Sequence, residues 1–465
     1  MANEHNRLNS KFSIVGAFWV PEMTDVVQTG TLTADENGIN FTTAPEYKRG
    51  GKGLPPLSSL FARRTRKKVP VLHGFSEDGP CTLCDLVEAD WPGRADHGSG
   101  QSIAATTYMV SACVAGMHFG GSSEKCLNSA RYTFSGLSDW LPKAASETWD
   151  KDYITLKIPF KLRDILDFSV RESRIRVSLK GFSEFTSGLP DGARISKSVN
   201  YVEVESPMAE SLTSYYQIGN RLENLFSLLT GTSLALETFF VYRGEEDGHV
   251  NAKRRHRVRP FDPRECVWCT SDQLANAIAI WLSESQEFRR VESLVLGVLR
   301  KGKLFVETEF LSLAQALEGI HRVTEPTSVA DKLVFRQVRK KIVALLKQEH
   351  VDPALSKRIC DSLSHVNDPA FASRLTALCQ RISGPLLQRM QIDPAQFVVE
   401  VVATRNFYTH AGSKANQNKI PDSNRELFLL NQKMRSLLRG ALLLHLGIPE
   451  GQISDTLERE ATLYH

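Results

Sequence analysis

Residues 214–230 read SYYQIGNRLENLFSLLT and are followed by Gly231. Ile218, Leu222, Leu225, Phe226 and Leu229 recur at intervals of three and four, the period of one face of an α-helix. Gly231 suits the left-handed position that ends many helices. Upstream, residues 174–180 read RIRVSLK and alternate with period two, as a half-buried strand does. The texture of the chain therefore changes near residue 210. Before it, short apolar-alternating runs at 12–18, 30–32, 69–72 and 153–158 are separated by turn signals such as Glu36-Asn37-Gly38 and Asp78-Gly79-Pro80. After it, helical periodicity fills 272–299, 303–322, 331–348, 353–365, 369–390, 394–410 and 423–446, with short connections that often hold Pro or Gly. The reading is an α+β protein. Residues 1–210 form a β-rich domain, a sandwich or an open barrel, and residues 272–465 form an all-α bundle. Residues 211–271 hold the helix quoted above and then a polar, basic, cysteine-containing stretch from 243 that reads as an insertion or linker.

Composition narrows the function classes. With 42% hydrophobic and 24% charged residues in 465, the chain is neither disordered nor collagen-like. Lys+Arg 57 against Asp+Glu 53 leaves a net charge of only +4, so affinity for nucleic acid must come from local clusters. No apolar run reaches the roughly 18 residues that a membrane span needs. The opening MANEHNRLNSKF lacks the apolar stretch of a signal peptide. The expected location is the cytoplasm, where the eight cysteines serve as thiols or ligands rather than disulfides.

Residues 397–412, FVVEVVATRNFYTHAG, carry the sharpest chemistry. Arg405 is followed by the polar Asn406, and His410 comes five positions after the arginine. A guanidinium is permanently cationic and offers a planar fork of donors to phosphate oxygens. An imidazole exchanges protons near neutral pH. Together they could cleave RNA without a metal. His410 would act as base on a ribose 2′-hydroxyl or as acid at the leaving 5′-oxygen. Arg405 would stabilise charge on the phosphate, and Asn406 would orient the imidazole or bind an oxygen. A separation of five places the two side chains about 140° apart on a regular helix. The helix end, the length of the side chains or a second chain must close that gap. An Arg-His pair of this kind also occurs in helices that only pack.

At these residues the sequence resembles the Arg-x4–6-His signature of the HEPN superfamily. More narrowly, the C-terminal half is similar to the ApeA-like HEPN domain. Residues 309–322, EFLSLAQALEGIHR, resemble that family's early core helix, and residues 427–446 with Gly447 resemble its final helix. The N-terminal half is similar to the ApeA N-terminal β domain at Gly16-Ala17-Phe18-Trp19, Gly30-Thr31-Leu32 and His73-Gly74-Phe75 before Thr82-Leu83. The resemblance covers nearly the whole chain. It implies a metal-independent endoribonuclease that works as a homodimer through its HEPN domain. It also implies a part in anti-phage defence by abortive infection, with host RNA, tRNA in particular, as target and a phage-derived trigger. Arg405 and His410 carry over as catalytic, Asn406 as the accompanying polar residue and Glu318 as a supporting residue. The β domain would recognise RNA, sense infection or restrain the nuclease. The alternative is a non-catalytic HEPN dimerisation or RNA-binding module, although the chain keeps both Arg405 and His410.

Other residues invite weighing. Three basic clusters stand out: Arg63, Arg64, Arg66, Lys67 and Lys68; Lys253, Arg254, Arg255 and Arg257 with Arg259; and Arg339 to Lys341. The first two are the stronger RNA-contact candidates, although a solvated face or mobile loop is the better reading of any single cluster. Two CxxC pairs occur, at Cys81/Cys84 and Cys266/Cys269. The first reads as a strand, whose positions i and i+3 face opposite ways and chelate poorly. Cys266 and Cys269, with His249 and His256 nearby, could hold a structural zinc. Catalysis needs no cofactor on this reading. There is no phosphate-binding glycine loop and no nucleophile elbow.

Overall fold

The computed structural model describes residues 11–35, 37–44, 46–47, 68–89, 93–97, 101–141, 146–149, 154–157, 163–170, 174–186, 195–252, 261–299, 304–325, 328–409 and 420–461. The chain divides into two compact units. The first comprises residues 1–261 with 270–283, and the second 262–269 with 284–465.

In the first unit, strands Phe12–Trp19, Gln28–Asp35, Gly38–Thr43, Lys68–Ser76 and Gly79–Glu88 pair antiparallel. Thr107–Val110 pairs with both Gly38–Thr43 and Gly79–Glu88 and so closes the ring. Alternation sends Phe18, Leu32, Phe41, Leu83, Leu86 and Tyr108 into the core of this barrel. Gly74 is fitted to it, because a Cβ there would lie 2.5 Å from the Phe18 ring. The sheet then leaves the barrel through Ala112–Ala115. It continues through Glu246–Asn251, Leu236–Arg243, Leu127–Phe134, Ile195–Glu210, Ile175–Thr186 and Arg163–Val170, a sheet of thirteen strands among the described residues.

Helix α1 (Leu212–Thr230) starts at Ser211, whose side chain accepts from the Ser214 amide, and ends at Gly231 with φ 66°. It packs on this extension, where Tyr132 donates its hydroxyl proton to the Tyr215 carbonyl at 2.8 Å. Helix α2 (Ser271–Ser283) belongs to the same unit. Trp281 Nε1 donates to the Arg221 carbonyl at 2.9 Å, and the Arg221 guanidinium donates to the Leu282 carbonyl at 2.9 Å and to that of Trp281.

The boundaries therefore fall elsewhere than the periodicity placed them. Residues 236–251 are two paired strands of the main sheet, joined at Gly244 with φ 63°, and not an insertion or linker. The helical period at 272–299 is two helices, because Ser285 caps a new one by accepting from the Phe288 amide at 3.2 Å. Only the second of them, α3 (Gln286–Leu299), lies in the helical unit.

That unit continues with α4 (Val306–Thr324), α5 (Lys332–Gln348), α6 (Pro353–Leu363), α7 (Phe371–Gln380), α8 (Gly384–Arg389), α9 (Pro394–Thr409), α10 (Asn424–His445) and α11 (Glu450–Ala461). Its core joins Phe310, Leu313 and Leu317 of α4, Leu375 and Leu378 of α7, Val401 of α9 and Leu437 and Leu438 of α10. The α5–α6 hairpin contributes no buried side chain. Asn367 clasps its base, exchanging hydrogen bonds with Ala330 at 2.8 and 3.1 Å. The period expected over 369–390 is also two helices. Ser383 caps the second by accepting from the Leu386 amide, with Pro385 in its first turn.

Candidate functional site

Arg405 lies on α9, one turn before the helix ends at Thr409. Phe397, Val401, Ala403 and Thr404 bury one side of that helix. The guanidinium is about one-third exposed and bonds to Glu318 Oε2 on α4 at 3.3 Å. It also sits over the ring of Phe371 on α7, 5.1 Å from the centroid. Glu318 is a bridge, because its other oxygen accepts from Arg322 one turn along α4 at 3.1 Å. Asn406 is exposed beside Arg405. His410 follows the last residue of α9 and lies outside the described residues.

The polar contacts continue along α4 and α7. Arg374 Nη1 donates toward Nδ1 of His321 at 3.3 Å, and Arg374 Nε donates to the Pro369 carbonyl at 3.0 Å. A guanidinium can only donate, so Nδ1 of His321 carries the lone pair and the ring is neutral in this arrangement. Burial holds the His321 pKa below its ordinary value against the opposing pull of Glu325, and Arg374 and Arg381 add to the lowering. Arg381 pairs with Glu325 at 2.9 Å. Three helices thus present Arg405, Arg322, Arg374 and Arg381 as successive rungs, with Glu318 and Glu325 between them.

Residues 13–286, more than half of the chain, match the ApeA N-terminal domain 1, and residues 311–452 match the Apea-like HEPN domain. The chain belongs to the ApeA-like HEPN family. The N-terminal match extends through α2, which the contacts also assign to the first unit. The HEPN match spans all the rungs, from Glu318 to Arg405. No curated protein and no solved structure matches the chain.

The remaining sequence candidates fall as follows. Arg63, Arg64, Arg66 and Lys67, and Lys253, Arg254, Arg255 and Arg257, lie outside the described residues. Lys68 is exposed at the start of its strand and pairs with Val87. Arg339, Lys340 and Lys341 are exposed on α5. Cys266 is buried, its Sγ donates to the Asp262 carbonyl at 3.4 Å, and Cys269 Sγ faces the Val267 carbonyl at 3.8 Å. Burial pushes both thiols up to about 12. His249 instead packs on Phe240 in the first unit, and His256 lies outside the described residues. Among the described residues, no group of three or more His, Cys, Asp or Glu side chains is placed to hold a metal ion.

The cysteine stretch has a structural part in the helical unit. The Cys266 carbonyl accepts from Arg459 at 2.8 Å and from Thr456 at 3.3 Å, and the Glu265 carbonyl accepts from Arg439 at 2.7 Å. Arg374 and Arg381 escaped the sequence reading, since single arginines on an amphipathic helix carry no local signal. His321 lies within the core-helix stretch 309–322, where its sequence context is that of a packing residue.

Proposed function

We propose that this protein is a metal-independent endoribonuclease in which Arg405 and His410 act on one phosphodiester. The observation that carries the reading is the placement of Arg405: half-buried near the end of α9, fixed by Glu318 on another helix, and set within a HEPN domain. Fixing a guanidinium before substrate arrives lowers the reorganisation needed to stabilise charge in the transition state. His410 takes the proton of the ribose 2′-hydroxyl. The 2′-oxygen bonds to phosphorus and the bond to the 5′-oxygen breaks. The leaving oxygen takes a proton, giving a 2′,3′-cyclic phosphate and a 5′-hydroxyl. Two proton transfers call for two groups, which a homodimer with paired sites supplies. The biological setting we infer is abortive infection, with tRNA as the substrate and a phage component as the trigger.

The test is cleavage of total tRNA in EDTA by wild type, Arg405→Ala and His410→Ala, with the ends mapped. The expected loss is about 100-fold or more for each substitution. Undiminished cleavage by His410→Ala, or abolition of wild-type cleavage by EDTA, overturns the reading.

A further inference from the structure

Arg374 is 2% exposed, yet among the described residues it forms no ion pair. Two of the nearby carboxylates are engaged elsewhere, Glu318 with Arg405 and Arg322, and Glu325 with Arg381, while the half-exposed Asp368 lies near His365 and acts on Arg374 only from beyond ion-pair distance. The hydrogen bonds of Arg374 go to a carbonyl and to a neutral imidazole, neither of which supplies negative charge. Burial is the main cause that lowers its pKa, the charge of Arg322 is the second, and Glu318 and Asp368 oppose both from a distance. A buried cation without a counter-ion is costly. The neighbouring Arg435 shows the ordinary solution, a carboxylate at 2.6 Å from Glu309.

The position of this charge is informative. Glu318 and His321 are three residues apart on α4, and Phe371 and Arg374 are three apart on α7. The first of each pair touches Arg405, while His321 and Arg374 touch each other. The two sets are thus about one helical turn apart, roughly 5 Å along the helices. That offset is of the order of the step between neighbouring phosphates in an RNA strand. At the second position Arg322 is the accessible group, its side chain 55% exposed and, among the described residues, paired only with the shared Glu318.

We propose a second phosphate-binding position beside Arg405, in which Arg322 contacts the RNA phosphate next to the scissile one and the charge of buried Arg374, which no carboxylate pairs with directly, strengthens that contact. The inference rests on the nuclease reading above and names the substrate register at the same site. Arg322 is a contact residue and Arg374 a positioning residue. A phosphate replaces Glu318 at Arg322, and Arg374 acts through the protein interior, where salt screens it little.

The two roles have separate signatures. In a His410→Ala background, which prevents cleavage, a fluorescein-labelled single-stranded RNA of about twelve nucleotides is titrated from about 50 to 200 mM salt. Arg322→Gln should reduce the slope of log K against log salt by about 0.7, one phosphate contact on a single strand. Arg374→Met should weaken binding about tenfold at every salt concentration, leaving the slope unchanged. Arg374→Lys should restore affinity because it restores charge. Thermal melts show which variants remain folded, and Arg322→Gln, at the surface, serves whatever happens at Arg374. Unchanged slope and affinity in Arg322→Gln overturn the proposal, as does an Arg374→Lys variant that is folded and binds as weakly as Arg374→Met. RNA binding without these effects leaves the nuclease reading standing. The effects without cleavage by the native protein leave the phosphate position standing and remove the nuclease.

Discussion

Two arginines on the HEPN helices are almost equally hidden and differently furnished. Arg435 of α10 is 8% exposed, Arg374 of α7 is 2% exposed. Arg435 Nε reaches Glu309 at 2.6 Å and its Nη1 reaches the Val298 carbonyl at 2.6 Å, tying α10 to α4 and to the end of α3. Arg374 has acceptors but no anion. The first arrangement holds the bundle together. The second leaves charge unspent on the side where Arg405 lies. Burial alone does not say what an arginine is for; the sign and distance of its neighbours do.

The sharpest way to break the contrast is to remove each charge and measure stability. Arg435→Ala strands Glu309 in the interior, and chemical denaturation should show a loss of about 3–5 kcal/mol. Arg374→Met removes a cation that no carboxylate pairs with directly, so the gain from lifting its burial cost offsets the two lost hydrogen bonds. Its stability should stay within about 1 kcal/mol of wild type. Equal and large losses in both would place Arg374 with Arg435 as a structural group.

A smaller effect is expected at the bridge. Glu318→Gln keeps the shape and halves the restraint on Arg405 and Arg322. Turnover of RNA should fall about tenfold, equivalent to about 1.4 kcal/mol of the barrier, with little change in melting temperature. An unaltered turnover number would mean that Arg405 positions itself without help.

The smallest effect is in pH. The folded-state pKa of His321 is depressed, so the folded protein binds fewer protons there than the unfolded chain. The stability from neutral His321 is complete above the ordinary value of 6.5 and declines as pH falls from there toward the depressed folded value. Protonation also removes the lone pair that accepts from Arg374. His321→Gln should flatten that part of the stability–pH curve, whereas an unchanged slope in the variant would assign it to another group.

Much of the secondary structure was legible from local pattern. The period-two run lies in a strand from Ile175 onward and the helical periods at 214–230 and 394–409 became helices, because a half-buried element must put its apolar side chains on one side. The strand over 236–243, LETFFVYR, has the aromatic and β-branched content of a strand and could have been found. It was hidden by the basic stretch that follows it. Cys81 and Cys84 follow the expectation for a strand: Cys81 enters the barrel core, and Cys84 is not part of that cluster. The breaks at Ser285 and Ser383 depended on caps inside continuous apolar periods, which averaging over a window conceals.

Periodicity and the run around Arg405 were enough to determine an α+β chain with a helical C-terminal part and a focus of phosphate chemistry, because both are properties of neighbours along the backbone. The closure of six strands into a barrel, the assignment of α2 to the first unit, the use of the Cys266 stretch as a buttress and the convergence of Arg322, Arg374 and Arg405 were decided by the tertiary structure. Each joins residues from about fifty to almost two hundred positions apart, or follows from one that does, and charge balance in a protein interior is set by distance in space, which falls off no faster for a distant residue than for an adjacent one.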